Sequence, residues 1–89
     1  MTVLLFPRRP TLQSVTKIVV QLSEAHPGWH IETDQGGDDG LPFVTAEHRA
    51  TGAVLGGHWV NWEWAILAEE GTVVSRSPKL AIAFGRCLS

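Results

Sequence analysis

Cysteine is almost absent from this sequence, and charge is scarce. The single cysteine, Cys87, excludes an internal disulfide and leaves no Cys-x-x-Cys pair to hold zinc. Charged residues make up only 18% of the chain, seven of them basic and nine acidic. That balance supplies no electrostatic pull toward a phosphate backbone, so nucleic-acid binding is not expected. No apolar run approaches the roughly 20 residues that a membrane-spanning helix needs. The apolar stretch Val3-Leu4-Leu5-Phe6 is short, and Arg8 and Arg9 follow it instead of preceding it, the reverse of a secretory signal. These absences point to a soluble, cytoplasmic protein in a reducing compartment.

Catalytic and ligand-binding patterns are missing as well. There is no Gly-x-Ser-x-Gly, and Gly36-Gly37 lacks the strand, helix and lysine of a phosphate loop. Glu47 and His48 are adjacent on an expected strand, so they point to opposite faces and cannot orient one another. His26 and His30 straddle Pro27-Gly28, and His48 and His58 stand apart, so no pair sits at ligand spacing on one helix. The loop from Asp34 also fails as a calcium site. Its third position is Gly36, its sixth Asp39 and its twelfth Thr45, where oxygen ligand, glycine and glutamate are required. No metal, no cofactor and no enzymatic activity are expected.

What the chain does have is 44% apolar residues and four tryptophans, within a length that suits one domain spanning residues 1–89. Val3–Phe6 reads as a short strand or extended arm, closed by Pro7 and Pro10. Thr11 is an N-cap, and Leu12, Val15, Ile18, Val19, Leu22 and Ala25 recur at helical spacing until Pro27-Gly28. Strands are expected over 29–33, 43–49, 53–55, 62–68 and 72–75. Turns fall at Ala50-Thr51-Gly52 and Glu69-Glu70-Gly71, with an interruption at Gly56-Gly57. Ser77 and Pro78 open a second helix whose apolar stripe is Leu80, Phe84, Cys87 and Leu88. The pattern predicts an α+β domain in which an antiparallel sheet of about four strands packs with two helices, in the order β-α-β-β-β-β-α.

The C-terminal quarter carries a resemblance. Trp64-Ala65-Ile66, a hairpin and then Ser77-Pro78-Lys79-Leu80-Ala81-Ile82 resemble the ending of small phage and prophage proteins of the ABA-sandwich type. The resemblance implies a sandwich fold and a phage or mobile-element origin, and it brings no catalytic residue with it. The helix–strands–helix order is also similar to that of double-stranded RNA-binding domains. Those hold phosphates with a lysine cluster on the last helix, whereas here Lys79 has only Arg76 nearby.

The tryptophan cluster carries the functional expectation. Trp59, Trp62 and Trp64 fall within a single short stretch. In one regular strand, Val60, Trp62, Trp64, Ile66 and Ala68 would share an apolar face under the helices. Trp59, Asn61 and Glu63 would share the other face and be left for a partner. Asp34, Asp38 and Asp39 form an acidic lip suited to a basic partner surface, and Arg8-Arg9 is a cationic pair held between prolines. The resulting expectation is a small non-enzymatic accessory protein of a phage or mobile element that binds another protein, such as a bacterial host defence complex inhibited in anti-CRISPR fashion. The alternative is a self-associating structural module that forms a homodimer.

Overall fold

The computed structural model describes residues 9–36 and 40–88. The expected arm at Val3–Phe6, together with Arg8, Asp38 and Asp39, lies outside the described residues. Among the described residues the chain runs α1 (Leu12–Ala25), β1 (Trp29–Gln35), β2 (Pro42–His48), β3 (Val54–Val60), β4 (Glu63–Ala68), β5 (Val73–Ser77) and α2 (Leu80–Leu88). It is an α+β fold. The five strands form one antiparallel meander in chain order, β1-β2-β3-β4-β5.

α1 starts where the sequence places it. The Thr11 hydroxyl accepts from the Ser14 N–H at 3.1 Å, and Ser14 Oγ accepts from the Thr11 N–H at 3.1 Å, a reciprocal capping box. Val15, Val19 and Leu22 are its buried stripe. α2 begins two residues later than its Ser77-Pro78 signal suggests. Ser77 ends β5, and its hydroxyl accepts from the Lys79 N–H at 3.1 Å, while Lys79 accepts the first helical bonds from Ile82 and Ala83. Both helices pack against the sheet and against each other.

The core lies between the helices and one face of the sheet. Across its middle, register aligns Thr33, Val44, Gly57, Ile66 and Ser75 in one row. Phe84 of α2 sits on that row with no exposed surface. Gly57 makes the seat, because a Cβ there would come within 2.5 Å of Phe84 Cε2 and 3.2 Å of Ile66 Cδ1. Gly56-Gly57 therefore does not interrupt the sheet as expected. β3 runs straight through both glycines, paired on both sides. Ser75 Oγ, at the end of the same row, is buried with no hydrogen-bond partner of standard geometry.

The larger correction concerns the tryptophans. Residues 58–68 are not one strand. They are two strands joined by a two-residue turn, Asn61-Trp62, with φ of 52° and 63°. Positive φ at both central residues defines the type I′ turn, whose twist matches that of a hairpin. The turn resets side-chain parity. Trp59 and Trp64 become cross-strand partners on the helix-covered face, and Trp62 is thrown to the tip. Trp64 is 3% exposed as expected, but Trp62 is 50% exposed, and Trp59 is half-buried against the core.

Gly57→Ala is expected to destabilise the fold by about 1–3 kcal/mol through overpacking. Combining it with Phe84→Leu should recover part of that loss, because the shorter side chain vacates the space the new methyl enters. Urea unfolding of the two single variants and the double variant measures the coupling; strictly additive losses would show that Phe84 is not what Gly57 accommodates.

Candidate functional site

The turn at Asn61-Trp62 projects from one end of the sheet, beside the start of α1 and the β1–β2 connection. The reason is topological: in a meander, alternate connections emerge at the same end. A concavity of about 280 Å³ opens there, lined by Arg9, Leu41, Trp59, Val60, Asn61 and Trp62. Trp59 also borders a second, more enclosed apolar concavity of about 330 Å³, whose walls include Pro10, Ile18, Trp64 and Leu80. Trp59 is thus shared by the two. Trp59 is held there by Trp64, with ring centroids 5.8 Å apart in an edge-on arrangement of 66°.

Three of the residues expected to contact a partner, Arg9, Trp59 and Asn61, thus line the same concavity. They do so by a route that sequence parity did not anticipate. Asn61 occupies the first left-handed position of the turn, which its short polar side chain tolerates. Glu63 does not share their surface. It faces the helix-free side of the sheet and reaches Arg76 at 3.7 Å. Asp34 is exposed at the end of β1, where its carboxylate accepts from the Gln35 N–H at 2.8 Å. Trp62 is the residue the sequence misplaced. Its signal was available in Asn61, a left-handed residue type between two apolar alternations, but the turn that Asn introduces normally has glycine next, not tryptophan.

Trp62 in that second position is physically unusual. A bulky side chain at φ 63° is a backbone outlier, costing on the order of 1–3 kcal/mol where glycine would cost nothing. The tip thus combines a strained backbone with a half-exposed indole, next to Val60, which is itself 48% exposed. Such a rim of aromatic and aliphatic surface around a small hollow suits contact with another macromolecule.

The remaining chemistry-bearing side chains are spread out. Among the described residues no group of three or more His, Cys, Asp and Glu side chains could hold a metal ion, and no helix is long and apolar enough to cross a membrane. His48 Nδ1 accepts from the Ala50 and Thr51 N–H groups at 3.3 and 3.2 Å and so fastens the β2–β3 turn. His58 stacks on Phe43 at 6.5 Å on the helix-free face. Cys87 lies against α2's own backbone, its sulfur 3.6 Å from the Ala83 carbonyl. Burial pushes its thiol pKa up, while the nearby Ser75 hydroxyl and the Arg86 charge pull the other way.

Two outcomes follow at the tryptophans. Trp64→Ala should cost about 3–5 kcal/mol, the loss of a buried aromatic, whereas Trp62→Gly should hold stability or raise it by up to about 1 kcal/mol by relieving the turn. Thermal and urea unfolding separate them, and a large loss at Trp62→Gly would contradict the turn assignment. At Cys87 the raised pKa means the native state holds the thiol proton more tightly. The stability this contributes is present below the unfolded thiol's pKa and is lost as pH rises through the higher native value. Alkylation at mildly alkaline pH should accordingly be slower in the native protein than in urea, and equal rates would contradict the burial.

No protein-family model, no curated protein and no solved structure matches the chain.

Proposed function

We propose that this protein is a small, non-enzymatic binding module and that it engages a protein partner through the end of the sheet built around Asn61 and Trp62. The observation that carries this reading is Trp62 itself. It is a large aromatic, half exposed, at a positive-φ backbone position that favours glycine. Local strain concentrates where a structure has a use for it. Exposed aromatics of this kind are enriched among the residues that dominate protein interfaces. The neighbouring concavity, lined by Trp59, Leu41 and Arg9 among others, combines apolar surface with a cation suited to a carboxylate. The resemblance of the C-terminal quarter to small prophage proteins supports the narrower version, in which the partner is a bacterial defence complex.

A photo-crosslinking amino acid at Val60 tests the site, with the same group at Val74 as control; the two positions are exposed to nearly the same degree, 48% and 49%. In cells, crosslinked species should form from Val60 and not from Val74, and Trp62→Gly should abolish them while the fold persists. Identical crosslinks from both positions, or crosslinks insensitive to Trp62→Gly, would remove the tip from the interface.

A further inference from the structure

A concavity of about 460 Å³ lies away from the tryptophans. It follows β1, the edge strand of the sheet, and its lining includes Val19 of α1, Ile31, Glu32, Thr33 and Asp34 of β1, and Phe43 and Thr45 of β2. β1 is seven residues long, and among the described residues nothing pairs with its outer side. The direction of its backbone groups can be read from one bond. The Arg49 N–H donates to the Gly28 carbonyl at 2.9 Å, which makes Trp29 and His48 a non-hydrogen-bonded pair and sets the phase of the β1–β2 ladder. Alternation from there turns the N–H and C=O groups of His30, Glu32 and Asp34 toward β2. Those of Ile31 and Thr33 face outward.

The other edge of the sheet is managed differently. β5 has five residues, a register shift opposite Ile66/Leu67, and Arg86 donating to its Arg76 carbonyl at 3.2 Å. Shortness, irregularity and a covering cation are common ways of blunting an edge, and β1 has none of them. Beside β1, α1 adds apolar surface. Val19 enters the groove, and Val20, a further 100° around the helix on the side away from Ile18, is 51% exposed.

We infer that the groove between α1 and the β1 edge accepts an extended segment of a partner protein as an added antiparallel strand, with alternating basic and apolar side chains. Outward N–H and C=O groups at Ile31 and Thr33 supply main-chain bonds, as in strand-addition recognition generally. Apolar side chains of the added strand pack beside Val19 and Ile31. Those of opposite parity meet Glu32 and Asp34, and no lysine or arginine lines the groove among the described residues. His30, whose Nε2 lies 2.7 Å from Glu32 Oε1, is the cation-capable side chain of β1. In the register that pairs Ile31 of one chain with Thr33 of another, a second copy would set Glu32 directly against Glu32, a destabilising like-charge pair.

Amide hydrogen exchange with defined peptides tests this independently of the Trp62 site. The probe is a peptide as long as β1 that alternates lysine and valine, and the control alternates glutamate and valine. With the lysine peptide at ten times its dissociation constant, exchange at the Ile31 and Thr33 amides should slow by about tenfold. The glutamate peptide should leave them unchanged, and Glu32→Lys, an exposed substitution, should cancel the lysine-peptide protection. Added salt should weaken binding. Protection elsewhere on the protein, no saturable binding of the lysine peptide, or equal protection by both peptides would overturn the inference. So would a dimer in sedimentation whose Ile31 and Thr33 amides are already protected without peptide.

Discussion

The contact between Phe84 and Gly57 sets the thickness of the molecule. A sheet and a helix each present a rough surface, and they approach closely only where one supplies a hollow for the other's projection. Here the hollow is a missing side chain in the middle strand of five, and the projection is a phenylalanine with no exposed surface. Because α2 comes down onto the sheet at Gly57, its flanking Leu80 and Leu88 are buried, and α1 can lie beside it and still reach β1. A methyl at residue 57 would lift α2 off the sheet and loosen every contact that depends on its height. In a domain of this size, whose folding margin is only several kcal/mol, that single geometry is a large share of the whole.

Much of this was legible in the sequence, and the parts that were not share one cause. Local signals worked wherever the chemistry was local. The Thr11 cap, the 3.6-residue stripe of α1, the glycine turns at Gly52 and Gly71 and the apolar face of α2 all act within a few residues and leave a mark in the order of the letters. Gly57 misled because a glycine in a strand has two meanings, a break or a close approach, and only the position of Phe84 decides between them. Asn61-Trp62 misled because period-two alternation continues unbroken through it in apolar character, while the backbone reverses. Once the turn was missed, Trp59 and Val60 were assigned to the wrong faces of the sheet and Trp62 to the core, so Trp59 and Trp62 exchanged roles. Trp64 kept its place because it lies on the buried face in either register.

That exchange matters for the site. Proximity of tryptophans in sequence does not make them one functional cluster, since backbone geometry gives each a separate task. Trp64 fills the core, and Trp59 stands half-buried against it and lines two hollows. Trp62 is placed outward at a conformational cost. The candidate residues scattered along the chain as Arg9, Trp59 and Asn61 meet because α1, the β1–β2 connection and the β3–β4 turn all end on the same side of a meander. No spacing rule could have found that, since it depends on the number and order of strands.

The distribution of protection over the sheet is uneven, and the unevenness is informative. One face is covered by two helices, and at the β5 edge Arg86 donates to the Arg76 carbonyl. Among the described residues the outer side of β1 has no strand partner, and the tip at Val60 and Trp62 is half exposed. A short chain with little charge to keep copies apart would be expected to blunt both. At β1 the blunting is partial: Glu32 and Asp34 repel an acidic strand but leave the backbone groups of Ile31 and Thr33 without a strand partner among the described residues. Acidic side chains at an open edge therefore discriminate by charge instead of sealing it. A lysine at the position of Glu32 would serve equally well against self-pairing. The sign of the charge is accordingly the feature that solubility alone does not explain, and it is the feature a basic partner strand would read.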